Sequence, residues 1–189
     1  MTQPTGFTVW FTGLSGAGKS TLAGAVRDTV KGRGHLVEVL DGDEVRANLS
    51  AGLGFSKEDR DTNVRRIGYV ARLLSRNGVV AIVAAISPYR DIRNEVRRAH
   101  EARFVEVFVD CPLDEVMRRD RKGLYAKAIA GKIGNFTGVS DPYEPPIDAE
   151  ITVHTQFENV EQSLSIIVSW LEQQGLVSPS IVNVESARS

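Results

Sequence analysis

The chain has 189 residues, of which 42% are hydrophobic and 25% charged, a composition typical of one globular domain with a sizeable core. The formal net charge of −1 argues against a nucleic-acid partner held by bulk electrostatics, and the single cysteine excludes an intrachain disulfide. Because no run of 18 apolar residues and no leader-like N-terminus is present, we expect no membrane partner and a cytoplasmic location.

The first predicted strand, residues 8–12, leads into a glycine-rich loop with the sequence GLSGAGKS at residues 13–20. This loop matches the phosphate-binding motif G-x-x-x-x-G-K-[ST] at every constrained position. A predicted helix over residues 19–33 follows, so backbone N–H groups and the helix dipole favour an anion here. Lys19 is expected to reach the β- and γ-phosphates of a nucleotide, and Ser20 to bind Mg²⁺. The predicted nucleotide-binding residues of this loop are Gly13, Ser15, Gly16, Ala17, Gly18, Lys19, Ser20 and Thr21.

The second predicted strand, residues 36–41, ends in an Asp-Gly-Asp sequence. If the strand geometry persists, Asp41 and Asp43 project to the same side, at the edge where open α/β sheets bind ligands. Two carboxylates there can hold Mg²⁺ or its waters, and can accept a proton from an attacking hydroxyl. A simple turn is the competing interpretation, but the position beside the loop favours function. Asp43 is the candidate for orienting or deprotonating the hydroxyl and Asp41 for holding Mg²⁺, although these roles could be reversed.

The long helix predicted over residues 57–77 begins with polar residues suited to an anionic ligand. Ser56 and Asp59 have the spacing of a capping box, which fixes the helix start. Arg60 and Asn63 are three residues apart and therefore lie on one face near the N-terminus. An arginine and an asparagine there suit an anionic, hydrogen-bonding ligand.

Two residues near helix starts have both a structural and a functional interpretation. Phe55, just before the cap, could stack on a base, but the local sequence favours a hydrophobic staple. Ser87 follows the predicted strand over residues 79–85 and precedes a predicted helix over residues 88–102. It fits a helix cap and a ligand contact about equally well.

The remaining elements complete an alternating pattern. Strands are predicted over residues 103–110 and 150–154, and helices over residues 112–119 and 159–173. Alternating apolar strands and amphipathic helices predict an α/β fold with a mostly parallel five-stranded sheet and helices on both faces. Residues 123–148 are rich in glycine and proline without clear periodicity, and are predicted to be a lid. We expect a single domain over residues 1–177 and a flexible tail over residues 178–189.

These motifs together resemble the adenylylsulfate kinase family over roughly residues 6 to 175. The phosphate-binding loop is common to many NTPases, whereas the helix and lid motifs are specific to this family. The matching sequences are GLSGAGKS (13–20), LDGDEVR (40–46), GLGFSKEDRDTNVRRIG (52–68), ISPYR (86–90), RDRKGLYAKA (119–128) and FTGVSDPYEPP (136–146).

The resemblance implies a phosphate-binding-loop NTPase fold and an enzyme that uses ATP with Mg²⁺. It implies transfer of the γ-phosphoryl group to the 3′-hydroxyl of adenylylsulfate, giving 3′-phosphoadenylylsulfate and ADP in sulfate assimilation. The lid would exclude water, so that ATP is not simply hydrolysed. The family also suggests a homodimer.

The resemblance also implies roles for residues outside the loop. Phe55 and Phe136 should sandwich the acceptor adenine, which overturns the local preference for a staple at Phe55. Arg119 should lie at the lid base near ATP. The anionic and ribose parts of the acceptor should meet Arg46, Arg60, Asn63 and Lys127, and its pocket should be lined by Ile86 and Ser87. Together with Lys19, Asp41 and Asp43, Ser87 completes the candidate catalytic set.

One position departs from the family pattern. Relatives often carry arginine where this chain has Ile129, so any role of that arginine is absent or displaced.

Three further functions compete with this interpretation. A GTPase-type switch would need an Asn-Lys-x-Asp segment, which this sequence lacks. A nucleotide-binding regulatory module is disfavoured by the intact loop and carboxylate residues. A kinase for another small hydroxyl compound is disfavoured by the two phenylalanines, because these favour an aromatic acceptor.

Overall fold

The computed structural model describes residues 6–120 and 122–179, and its centre is a single parallel sheet. Across the sheet, the strands numbered in chain order follow the sequence 2-3-1-4-5, and every neighbouring pair is parallel. The predicted α/β class is therefore confirmed, with a sheet that is wholly parallel. The strands are β1 (Phe7–Thr12), β2 (Val37–Asp41), β3 (Val80–Ala84), β4 (Arg103–Asp110) and β5 (Ile151–His154).

Helices cover both faces of this sheet, because successive side chains of each strand point to opposite sides. Within β1, Val9 and Phe11 join a core cluster with the first and last helices, whereas Trp10 joins a second cluster with the third and fourth helices. The helices are α1 (Lys19–Gly32), α2 (Gly42–Asn48), α3 (Lys57–Arg76), α4 (Arg90–Ala99), α5 (Leu113–Arg119), α6 (Leu124–Ile129) and α7 (Val160–Gln173).

The main differences from the sequence-based prediction concern short helices. Helices α2 and α6 are not predicted, because both are too short to display a helical repeat. Helix α4 begins two residues later than predicted, at Arg90, because Tyr89 has an extended backbone and forms the N-cap. It ends at Ala99 because His100 is also extended.

The strand order determines where a ligand can bind. The chain leaves β1 towards β2 on one side of the sheet, and leaves β3 towards β4 on the other side. This reversal creates a crevice outside the carboxyl ends of β1 and β3, the usual ligand site of open parallel sheets. The glycine-rich loop follows β1, and Ser87 lies shortly after β3, so both candidate regions meet this crevice.

The predicted domain boundary near residue 177 stays a prediction. Val177 is buried against the core cluster that contains α7, so the folded region extends at least to this residue. Most of the predicted tail, residues 180–189, lies outside the described residues.

Candidate active site

The loop after β1 folds as a phosphate-binding turn because glycine occupies its strained positions. Gly13 has φ 147°, and a Cβ atom there would lie 2.5 Å from the carbonyl oxygen of Val109. Gly18, the N-cap of α1, has φ 108° and ψ 6° and makes no side-chain cap. The first amides of α1 therefore have no capping side chain and are available to an anion.

Lys19 is folded back over this loop. Its Nζ donates to the carbonyl oxygens of Gly13 and Leu14, at 2.9 and 2.7 Å. The residue is only 8% exposed, and burial lowers the pKa of its ammonium to about 8 against the opposing charges of Asp41 and Asp43. The loop thus holds a desolvated cation, which favours a phosphate ligand of opposite charge.

Ser20 and Asp41 form an oxygen-rich pair at the edge of the crevice. The Ser20 hydroxyl donates to Asp41 Oδ2 at 2.6 Å, and Asp41 Oδ1 accepts from the Asp43 backbone N–H at 3.0 Å. A hydroxyl next to a carboxylate suits Mg²⁺, which takes oxygen ligands from one or two side chains and completes its shell with phosphates and water. Among the described residues there is no cluster of three or more histidine, cysteine, aspartate or glutamate side chains that could hold a metal by itself.

The expectation that Asp41 and Asp43 extend one strand is wrong. The strand ends at Asp41, which becomes the N-cap of α2, and Asp43 lies in the first turn of that helix. The carboxylate of Asp41 stabilises the helix start, and this is why the extended geometry stops there. Asp43 instead projects outward with an 82% exposed side chain, and its Oδ2 pairs with Lys122 Nζ at 2.7 Å.

Phe55 is an exposed ring flanked by two guanidinium groups. The ring is 53% exposed, and the guanidinium carbons of Arg46 and Arg60 lie 4.4 and 5.8 Å from its centroid. The staple interpretation fails because the position four residues into the helix is Arg60, which offers no apolar partner. Arg46 also donates to the carbonyl oxygens of Leu53 and Gly54. Phe55 therefore presents an open aromatic face.

Arg60 connects α3 to the predicted lid. Its Nε donates to the Phe55 carbonyl oxygen at 3.0 Å and its Nη1 donates to Thr137 Oγ1 at 2.7 Å, while Nη2 donates to the Asn135 carbonyl oxygen. Each of these three nitrogens already donates a hydrogen bond to a protein oxygen. The predicted contact of Arg60 with the phosphoryl-acceptor substrate therefore stays a prediction. One turn on, Asn63 has a buried Oδ1 with no hydrogen-bond partner among the described residues.

The rim after β3 has an unusual backbone at Ser87. This residue is 3% exposed and has φ 41°, in the left-handed backbone region that residues other than glycine rarely adopt. Its hydroxyl accepts from Trp10 Nε1 at 3.1 Å, and the preceding Ile86 carbonyl accepts from Thr12 Oγ1 at 2.8 Å. Ser87 does not cap α4, whose N-cap is Tyr89, so the cap interpretation is wrong. Its assignment to the catalytic set, and that of Ile86 to the pocket, stay predictions.

The first half of the lid contacts the phosphate-binding loop through Tyr125. The Tyr125 hydroxyl donates to the Ser15 carbonyl oxygen at 2.9 Å, and the Phe136 ring packs edge-on against the Tyr125 ring at 5.0 Å. Phe136 is partly buried against the core, whereas Lys127 is exposed on α6. Ile129, the position expected to depart from the family pattern, is 59% exposed. Stacking of Phe136 on an adenine therefore stays a prediction.

The second half of the lid, residues 137–144, is here called the strap. It is fastened across the crevice by two side-chain hydrogen bonds and one backbone hydrogen bond, whose partners lie in β1 and in the segment just before α4. Tyr89 donates from its hydroxyl to Asp141 Oδ2 at 2.7 Å, and the Tyr143 hydroxyl lies 2.9 Å from Thr12 Oγ1. The Glu144 backbone N–H donates to the Pro88 carbonyl oxygen at 2.8 Å. No role is predicted from the sequence for Tyr89 and Tyr143, although the first lies in the ISPYR motif and the second in the FTGVSDPYEPP motif.

Arg119 is connected to the phosphate-binding loop through hydrogen bonds of Thr155. It pairs with Glu115 at 2.7 Å and donates from Nη2 to the Thr155 carbonyl oxygen at 2.6 Å. The Thr155 hydroxyl in turn donates to the Ala17 carbonyl oxygen at 2.8 Å. The structure thus brings Arg119 to the same turn as Gly16, Ala17 and Gly18, while Ser20 and Thr21 are exposed at its far end.

The fold and this site define a phosphate-binding-loop kinase, because the glycine-rich nucleotide loop opens onto a crevice that the strap crosses and an exposed aromatic ring borders. The family model described as adenylylsulphate kinase matches residues 5–154. The chain therefore belongs to the adenylylsulphate kinase family, and the predicted resemblance is confirmed.

Individual relatives agree with this assignment. An adenylyl-sulfate kinase of Rippkaea orientalis is 56% identical over 93% of this chain and 97% of its own length. A probable bifunctional SAT/APS kinase 2 of Sorangium cellulosum is 60% identical over 91% of this chain, which spans only 29% of that longer protein. The Mycobacterium tuberculosis APS kinase CysC, solved with AMPPNP and APS, superposes with a TM-score of 0.85 at 43% identity, covering 89% of this chain and 99% of that one.

None of the helices in residues 6–120 and 122–179 is both long and apolar enough to cross a membrane.

Proposed function

We propose that this protein transfers the γ-phosphoryl group of ATP to the 3′-hydroxyl of adenylylsulfate, forming 3′-phosphoadenylylsulfate and ADP. The observation that carries the proposal is the 2.6 Å hydrogen bond between Ser20 and Asp41. It joins the nucleotide loop to the segment that begins the acceptor side, so donor and acceptor groups share one crevice. Membership of the family and its relatives with this activity support the choice of substrates.

On the donor side, the loop amides and Lys19 bind the β- and γ-phosphates and stabilise the charge that develops during transfer. Ser20 and Asp41 are the residues that would hold Mg²⁺, which supplies positive charge to the phosphates. Gly13, Ser15, Gly16, Ala17, Gly18 and Thr21 surround the same phosphates, and Arg119 acts at the lid base.

On the acceptor side, Asp43 orients or deprotonates the 3′-hydroxyl. In the free protein its carboxylate is paired with Lys122, and the exposure of both groups lets a ligand displace this weak ion pair. The adenine stacks on the open face of Phe55, with Phe136 on its other side. Arg46, Arg60, Asn63 and Lys127 meet the anionic and ribose parts of the acceptor, beside Ile86 and Ser87.

The lid makes transfer preferable to hydrolysis by excluding water once both substrates are bound. In this proposal residues 123–134 are the moving part, because the hydroxyl of Tyr125 makes the one hydrogen bond between this segment and the loop within the described residues. The strap is the fixed part. A homodimer and a cytoplasmic location complete the proposal, and light scattering of the purified protein tests the first.

The decisive experiment is an ADP-release assay that compares adenylylsulfate, AMP, shikimate and gluconate as acceptors. We expect release with adenylylsulfate to exceed the others by more than about 10-fold, because only this acceptor offers both an adenine and a phosphosulfate. The Lys19→Ala variant is the matched control for contaminating kinases. Faster release with shikimate or gluconate would identify a kinase for another hydroxyl compound. A rate of ADP release that is the same with and without each acceptor would favour a regulatory nucleotide-binding module.

A further inference from the structure

Four charged side chains form a cluster between α4 and the strands β4 and β5. Arg93 and Arg97 come from α4, Glu106 comes from β4, and Glu150 precedes β5. The Arg93 and Glu106 side chains are only 2% and 7% exposed and pair at 2.9 Å. Arg97 pairs with Glu106 at 3.2 Å and also with Glu150. The two positive and two negative charges balance, as a buried cluster requires.

Arg93 does more than balance charge. Its Nη1 donates to the Ser87 carbonyl oxygen and its Nη2 to the Glu144 carbonyl oxygen, both at 2.6 Å. One planar guanidinium therefore joins three separate segments: β4 through Glu106, the rim after β3, and the end of the strap. Arg97, in the same cluster, makes no hydrogen bond to either carbonyl within the described part of the chain.

Both carbonyls belong to segments that need an external constraint. Ser87 has φ 41°, a conformation that persists in serine only where surrounding contacts enforce it. Glu144 ends the strap, and its backbone N–H donates to the Pro88 carbonyl oxygen, one residue after Ser87. Arg93 thus holds the two segments that border the acceptor crevice at a fixed separation.

We propose that Arg93 is a positioning residue for acceptor binding, which sets the rim at Ser87 and the strap at Glu144 relative to each other. The inference rests on the proposed function, because its consequence is measured on the acceptor. It assigns no substrate contact to Arg93, which is buried on the core side of both segments. Lysine cannot replace it fully, because an ammonium lacks the planar fork that reaches three acceptors in fixed directions.

The test compares variants that separate positioning from stability. Arg93→Met removes all three interactions and leaves an excess negative charge. Arg93→Met combined with Glu106→Gln removes the same carbonyl contacts but leaves Arg97 and Glu150 as a neutral pair. Arg97→Gln is the matched control, because it breaks the cluster and spares both carbonyls. Arg93→Lys is the conservative variant.

We expect Arg93→Met to raise the KM for adenylylsulfate by about 10-fold, the equivalent of one charge-assisted hydrogen bond, with the KM for ATP changed less than about 2-fold. Its Tm should fall by about 10 °C, as for a buried pair broken on one side. The double variant should recover part of the lost Tm and keep the raised KM for adenylylsulfate. The KM of Arg93→Lys for adenylylsulfate should lie between the values of Arg93→Met and the wild type. Arg97→Gln should lower the Tm with a near-normal acceptor KM. Recovery of the acceptor KM together with the Tm in the double variant would overturn the proposal.

Hydrogen exchange at the Glu144 amide gives a second readout that needs no catalysis. Exchange there should be faster in Arg93→Met and in the double variant than in the wild type or Arg97→Gln. Equal exchange in all four proteins would overturn the positioning role. A wild-type protein that does not phosphorylate adenylylsulfate would contradict the proposed function instead, and the exchange comparison would still decide the role of Arg93.

Discussion

The donor and acceptor sides of the crevice are built in different ways. On the donor side, Lys19 contacts carbonyls only five and six residues away, within one glycine-rich turn. On the acceptor side, Arg60 reaches Thr137 across 77 residues, and Tyr143 reaches Thr12 across 131 residues. The contacts of Lys19 therefore form within the loop itself, although Tyr125 and Thr155 also reach this loop from distant parts of the chain. The acceptor side exists only when distant segments are held together, so substitutions of the residues that hold these segments should mainly weaken binding of the acceptor.

The largest expected effect comes from Lys19→Ala on the donor side. We expect kcat to fall by roughly 10²- to 10³-fold, because the ammonium stabilises charge that develops on the transferred phosphoryl group. Circular dichroism should be unchanged, since the loop is shaped by its glycines rather than by Lys19. Lys31→Ala, an exposed lysine in the last turn of α1, is the control. Near-normal turnover of a folded Lys19→Ala variant would remove the residue from the catalytic set.

Substitution of Asp43 should have the next largest effect, at the junction of the two sides. Asp43→Asn keeps the shape but removes a proton acceptor, so we expect kcat to fall by about 10²-fold with little change in ATP binding. Asp41→Asn should instead alter the Mg²⁺ dependence of the rate, because Asp41 pairs with Ser20. Titration of both variants with Mg²⁺ distinguishes the roles. If Asp41→Asn damages turnover more and Asp43→Asn changes the Mg²⁺ dependence, the two assignments are reversed.

The same division explains what could be predicted from the sequence. The loop and the helix start at Lys57 follow from local spacing, and the structure confirms both. The strand geometry expected for Asp43 is wrong because a capping interaction at Asp41, rather than the strand pattern, decides where the chain turns. Contacts such as Tyr89 with Asp141 depend on two segments 52 residues apart, and a single sequence carries no signal for which residues meet.

An intermediate effect is expected for Phe136→Ala on the acceptor side. If Phe136 covers one face of the adenine, the KM for adenylylsulfate should rise by roughly 5- to 150-fold while the KM for ATP barely changes. The structure offers a competing role, because Phe136 packs against Tyr125 and the core. A mainly structural role would lower the Tm and weaken both substrates together. Both KM values and a melting curve of the variant decide between the two.

The smallest expected effects come from removing two tyrosine hydroxyls, one of which contacts the donor side and the other the acceptor side. Tyr125 donates to Ser15 in the donor loop, and Tyr89 donates to Asp141 in the strap. Burial raises the pKa of both phenols, so each hydroxyl keeps its proton at neutral pH and removal by Phe deletes one hydrogen bond.

A single hydrogen bond corresponds to roughly 2- to 12-fold in binding. Tyr125→Phe should therefore raise the KM for ATP by this factor and the KM for the acceptor by less, because the lost hydrogen bond is made to the nucleotide loop. Tyr89→Phe should do the reverse, because it frees the strap and leaves the loop intact. Each variant serves as the other's control, since both remove one buried hydroxyl. If both variants weaken both substrates equally, the lid acts as one rigid unit and the separation of donor and acceptor sides is wrong.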